Sequence, residues 1–195
     1  MDLHFTPRRL TRLAILAALS AILYYIPGIP IVPPMYKLDF STVPILICAL
    51  ISGPVDAVFA LIFKDLTGLF HSSSVGVGEL ADLVCSAALC VTAFFVSRPD
   101  KKHKTISLVK AMVLGILAMA AAGALVNYFI MIPFYVKVMH WPLSTIIDMV
   151  NDLLPSVSSL PRLIAYATVP FNLIKGIVIC AIAYPVYNQL REYGH

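Results

Sequence analysis

Charge is scarce in this chain. Asp, Glu, Lys and Arg together make 12% of its 195 residues, about half the usage of an ordinary soluble domain. The polar stretches between the apolar runs are too short to hold a separate soluble domain of ordinary size. The pattern G-x-x-x-x-G-K-[ST] does not occur, which excludes ATP hydrolysis by a P-loop within this chain. C-x-x-C and H-E-x-x-H are also missing, and Cys48, Cys85, Cys90 and Cys180 stand in apolar runs as small hydrophobes. Without dense ligand spacing, His71, Glu79 and Asp82 do not make a metal site, and no cofactor is expected. No G-x-S-x-G and no aspartate-rich signature marks an intramembrane hydrolase or transferase. Ser72, Ser73 and Ser74 beside His71 read as a polar turn.

What the chain has in abundance is apolar residues, at 60% of the total and a mean hydropathy of +0.90. The expected fold is an all-α integral membrane protein, a six-transmembrane-helix bundle forming one membrane domain over 1–195. Its spans are read at 10–26, 40–51, 55–70, 79–96, 106–133 and 163–187. Although arginines precede the first apolar run, that run ends in prolines with no small-residue cleavage site, so it reads as a span. Prolines at 27, 30, 33 and 34 forbid helix between the first two spans and make an ordered loop that could cap the bundle. Ser52, Gly53 and Pro54 form a tight turn between spans two and three. A short surface helix is expected over 146–154 in the longest connection.

Basic residues set the orientation. Arg8, Arg9, Arg12, Arg98, Lys101, Lys102, Lys104, Lys110 and Arg191 fall on one side, and only Lys37, Lys137 and Arg162 on the other. By the positive-inside rule both termini are cytoplasmic, in a multi-pass protein of the cell membrane. The net charge of +4 then serves topology and calls for no nucleic acid.

Charge inside the spans is the rarer signal. Thr168, Asn172 and Lys175 fall at i, i+4 and i+7, on one helical face. An intramembrane lysine costs roughly 2.5 to 3.5 kcal/mol on insertion scales and usually faces a cavity or a partner, so the face reads as a binding site. The alternative is a Lys175 that snorkels or pairs with a buried carboxylate. In span five Asn127 shares a face with Gly123 and Ala120, leaving room for a flat ligand or for close helix packing. Lys64 and Asp65 are adjacent, point to different sides of a helix and need separate partners. Glu79 and Asp82 either complement the helix dipole at the start of span four or line the cavity. Ala14 with Ala18, and Ala17 with Ala21, form small-x-x-x-small pairs that either pack within the bundle or dock another protein. At ~1.5 Å rise per residue, Asn172 and Lys175 lie in a pocket that opens outward beneath the proline-rich loop. Such a pocket suits recognition of a planar heterocycle better than catalysis.

K-L-D-F-S at 37–41, G-V-G-E-L-A at 76–81, Asn127 with Tyr128, and P-F-N-L-I-K-G at 170–176 together resemble a known family. It is that of the riboflavin-specific substrate-binding subunits of energy-coupling factor vitamin importers, and the resemblance runs from Leu10 to Tyr187. It implies a bundle that takes riboflavin from outside under the loop between spans one and two. By the same resemblance Leu38 and its neighbours Asp39 and Phe40 are loop contacts, and Asn127, Asn172 and Lys175 hold the polar edge of the flavin ring and part of its ribityl chain; Gly123 and Thr168, on the same helical faces as these residues, are counted with the expected site. Ala14, Ala17, Ala18 and Ala21 would dock a transmembrane coupling subunit joined to two ATPases, and the loaded bundle would topple to release its cargo inward. Asp65 and Asp82 stand where the family often has asparagine, which bears on the choice of flavin or vitamin. Three other readings stay open. The same architecture could take another small heterocyclic vitamin, an intramembrane enzyme could be centred on Asp65, Asp82, Glu79 and His71, or the chain could be a structural or assembly membrane protein.

Overall fold

The computed structural model describes residues 6–26, 28–32, 36–72, 74–97, 104–152, 154–155 and 157–192. Helix α1 spans Pro7–Tyr25, started by Thr6, whose hydroxyl accepts from the Arg9 amide, and by Pro7 at the first helical position. A two-stranded antiparallel hairpin follows, β1 at Ile29–Val32 and β2 at Tyr36–Leu38. The connection between α1 and the next helix is therefore extended, as its proline density requires. Pro27, Pro33 and Pro34 themselves lie outside the described residues.

Helix α2, Thr42–Ser52, is buried at every position from Thr42 to Ala49. A helix apolar on all sides belongs inside a bundle, and α2 packs against α1, against α3 (Pro54–Gly68), against α4 (Val77–Val96) and against α9 (Val169–Glu192). Gly53 makes the sharp turn between α2 and α3 at φ +104°, a conformation that only glycine adopts easily. Parallel helices α1 and α3 are pinned at both ends. Arg9 donates from Nε and Nη2 to Asp56 at 2.7 and 2.6 Å, and Tyr25 Oη donates to the Thr67 carbonyl at 2.7 Å.

Helix α5, Lys104–Val126, continues through a π-helical turn at Asn127–Met131 into α6, Ile132–Lys137. Likewise α8, Leu160–Leu163, passes through a π-helical turn at Ile164–Thr168 into α9. The helix expected to end at Pro133 runs on to Lys137, because a proline in the first turn of α6 lacks only an amide that the π turn already displaces. Among the described residues three helices are long and apolar enough to cross a membrane, at Val77–Val96, Ser107–Lys137 and Leu160–Leu190.

Helix α7 forms at Leu143–Asn151, earlier than the expected 146–154, and it is no surface element on its inner side. Ile146 and Val150 are fully buried with Val157, Leu163 and Ile164 in one apolar core. A second core is built from α2, α3, α4, α5 and α9 around Leu46, Leu61, Leu89 and Met119. The polar site lies between the two.

Candidate functional site

A cavity of about 340 Å³ opens between these cores. Its wall takes Cys85 from one core, and Tyr36, Ala81, Met131, Tyr135 and Phe171 from the other. The polar lining includes Asp39, Glu79, Asp82, Asn127, Asn172 and Lys175. Of the residues expected at the site, Asp39, Asn127, Asn172 and Lys175 therefore meet at one surface. Leu38, Phe40, Gly123 and Thr168 lie outside that wall. Leu38 is buried at the end of the hairpin's second strand, Phe40 is exposed, and Thr168 sits behind Tyr36.

Each amide is oriented by its own helix. Asn127 Nδ2 donates to the Gly123 carbonyl at 2.8 Å, and Asn172 Nδ2 donates to the Thr168 carbonyl at 2.9 Å. Asn127 stands in one π turn and Thr168 in the other, the backbone feature that often marks functional positions in helices. The two helices approach closely where Gly123 faces Asn172, since a Cβ at Gly123 would come within 2.5 Å of Asn172 Nδ2. Small residues in α5 thus bring both amides to one place. Asn172 is 4% exposed and its Oδ1 has no hydrogen-bond partner among the described residues. An oriented amide with its carbonyl and second N–H unused suits the carbonyl and ring-nitrogen edge of a planar heterocycle.

The hairpin supplies Tyr36 and Lys37 to the wall. Tyr36 stacks on Phe171 with centroids 4.9 Å apart, and its hydroxyl meets Thr168 Oγ1 at 2.6 Å and Asn127 Oδ1 at 3.4 Å. Burial pushes the Tyr36 phenol up to about 12, so it stays protonated and able to donate. Sequence inspection had not singled out Tyr36, and nothing local to it could have, since Thr168 lies 132 positions away.

Charges form a chain at the wall and behind it. Lys175 Nζ donates to Asp39 Oδ2 at 2.8 Å and to Asp82 Oδ1 at 2.7 Å. Asp82 also bonds Lys64, which in turn lies 2.9 Å from Asp65 Oδ1. Lys64 and Asp65 were expected to need separate partners. The long lysine side chain instead curls back to its neighbour while reaching Asp82. Both Asp65 oxygens nevertheless lack a well-aligned hydrogen bond, so the contact with Lys64 is electrostatic only. For Asp39, burial would raise the carboxyl pKa, but Lys175 outweighs it and holds it below the ordinary range. A Ser41 hydroxyl bond to Asp39 adds to the same anchoring.

Glu79 serves both of the roles left open for it. It stands in the first turn of α4 and also in the cavity wall, accepting from Tyr24, Ser72 and Ser74. The His71 side chain lies outside the described residues. The alanine pairs divide: Ala17 and Ala21 are buried within the bundle, whereas Ala14 and Ala18 are exposed. Among the described residues no group of three or more His, Cys, Asp or Glu could hold a metal ion.

Helices long and apolar enough to cross a membrane, packed around a lined cavity, define a membrane-protein fold with room for a small molecule. The chain belongs to the family of ECF transporter substrate-specific components, which it matches over residues 8–187. It is 29% identical over 187 residues to the riboflavin transporter RibU of Staphylococcus aureus (strain TCH60), covering 95% of this chain and 92% of that one. It is 26% identical over 195 residues to the riboflavin transporter FmnP of Bacillus subtilis (strain 168), covering 95% and 94%. A solved structure of the S component of a bacterial ECF transporter aligns with a TM-score of 0.75 at 27% identity, over 95% of this chain and 96% of that chain. The protein is thus a transport component and not an enzyme.

Proposed function

We propose that this chain captures riboflavin from outside the cell and delivers it inward together with a separate transmembrane coupling subunit and two ATPases. The observation that carries this reading is the cavity of about 340 Å³ lined by Asn127, Asn172 and Lys175, in a chain whose relatives are riboflavin transporters. Its size lies at the lower end of small-molecule sites, roughly 300 to 1,000 Å³. Tyr36 and Phe171 supply flat apolar surface beside the amides. In this reading the ring edge bonds the Asn172 amide and the third hydrogen of the Lys175 ammonium.

The same proposal holds that six spans, carried by α1, α2, α3, α4, α5 with α6, and α8 with α9, cross the cell membrane with both termini in the cytoplasm. The pinned, parallel α1 and α3 support it, because Arg9 and Asp56 then share the cytoplasmic end. The hairpin of 29–38 caps the outward mouth, held by Tyr36 on Phe171 and by Asp39 on Lys175.

Trp141, the only tryptophan, supplies the test. It stacks on Tyr135, a cavity residue, with centroids 5.6 Å apart. Riboflavin titrated into the detergent-purified protein is expected to quench Trp141 fluorescence to saturation. Asn172→Ala is expected to weaken binding by about tenfold to a hundredfold, the worth of one or two buried hydrogen bonds. No quenching in wild type, together with no flavin absorbance in the purified protein, rejects riboflavin as ligand.

A further inference from the structure

The cavity wall carries three carboxylates, Asp39, Glu79 and Asp82, against the ammonium groups of Lys37 and Lys175. Lys37 is exposed to solvent. Lys175 is already shared between Asp39 and Asp82, and Lys64 behind the wall between Asp65 and Asp82. Glu79 is different, because among the described residues it forms no ion pair. Tyr24 donates to its Oε1 at 3.2 Å, and Ser72 and Ser74 donate to Oε2 at 2.8 and 3.3 Å. The carboxylate is 7% exposed, yet it stands in the cavity wall.

The start of α4 would ordinarily attract an anion. Here its amides are taken: Gly76 N–H donates to Ser72 Oγ at 2.9 Å and Gly78 N–H to Ser74 Oγ at 2.9 Å. Both hydroxyls pass their own hydrogens to Glu79. The helix end is thereby satisfied by the protein's own carboxylate, fixed in place at the cavity surface.

We infer that Glu79 is a specificity-determining residue that makes this cavity select a neutral flavin and reject its phosphate esters. The inference rests on the flavin reading above. A phosphomonoester brings a charge of about −1.5 to −2 at pH 7 into a cavity whose buried cation, Lys175, is committed to Asp39 and Asp82, whose other lining cation, Lys37, is exposed to solvent, and whose helix N-terminus is filled. The repulsion acts in a partly desolvated space, where charges interact more strongly than in water.

The test compares riboflavin, riboflavin 5′-phosphate and the neutral riboflavin 5′-acetate by tryptophan quenching, in wild type and Glu79→Gln. Wild type is expected to bind riboflavin and the acetate within a few-fold of each other, and the phosphate at least ~10-fold more weakly. In Glu79→Gln that gap, read as the ratio of the riboflavin and phosphate affinities of the same variant, narrows about tenfold whatever the change in riboflavin affinity itself. In wild type alone, raising salt from about 0.02 to 0.5 M narrows the gap, since screening weakens charge repulsion and leaves steric exclusion untouched. The inference is overturned if wild type binds phosphate and riboflavin alike, if the acetate is rejected as strongly as the phosphate, or if neither the substitution nor salt moves the ratio. Failure of wild type to bind riboflavin at all overturns the flavin reading itself and this inference with it.

Discussion

Lys175 is a structural group and, in the proposed reading, a ligand-binding one as well. An ammonium has three hydrogens, and Asp39 and Asp82 take two of them. Removing it leaves the buried Asp39 without its cation and Asp82 with Lys64 alone, and breaking a buried pair in this way costs about 3 to 5 kcal/mol. Lys175→Ala is accordingly expected to lower the melting temperature in detergent by several degrees, as well as flavin affinity. Pairing Lys175→Met with Asp39→Asn restores most of the melting temperature without restoring affinity, because Asp82 keeps Lys64. A Lys175→Ala protein that melts like wild type contradicts this assignment. Helical spacing alone placed Thr168, Asn172 and Lys175 on one face. The partners of Lys175 were not legible, because Asp39 and Asp82 lie 136 and 93 positions away, and only the folded bundle decides which carboxylate meets which lysine.

Among the elements, the helices followed from their apolar runs and the turn at Gly53 from its Gly-Pro pair. The two π turns did not, because an extra residue in a helical turn leaves no mark on hydrophobic periodicity. Their effect is local but decisive, since they place Asn127 and Thr168 on either side of Tyr36. The hairpin was legible only as the absence of helix. Its pairing of Ile29 with Leu38 depends on register, which a stretch with prolines at 30, 33 and 34 does not encode in alternating polarity. The close approach of α5 and α9 makes a further prediction. Gly123→Ala puts a methyl group within 2.5 Å of the Asn172 amide, and Asn172 cannot swing away without losing its bond to the Thr168 carbonyl. The expected result is at least tenfold weaker riboflavin binding with about 1 to 3 kcal/mol of destabilisation, read by fluorescence titration and thermal melting. Unchanged affinity would show that the amide is not part of the binding surface.

On the scale of the whole molecule, the four alanines of α1 divide between the interior of the bundle and its outer face. Sequence gave the two small-x-x-x-small pairs equal standing, since spacing does not reveal which face turns inward. Ala17 and Ala21 are buried in the bundle, while Ala14 and Ala18 face outward beside the exposed Ile15 and Ile22. If the outward face receives a coupling subunit, a bulky residue there blocks close helix approach without touching the cavity. Ala14→Trp is thus expected to bind riboflavin as wild type does in detergent, within a factor of about two. In cells that supply the coupling subunit and ATPases, the same variant loses most flavin uptake and no longer copurifies with them. Ala17→Leu behaves in the opposite sense: overpacking beside Leu13 and α2 costs about 1 to 3 kcal/mol, so it lowers the melting temperature of the isolated subunit. Full uptake by Ala14→Trp would place the docking surface elsewhere on the bundle, and equal melting losses for both variants would mean that both faces of α1 are packed within the chain itself.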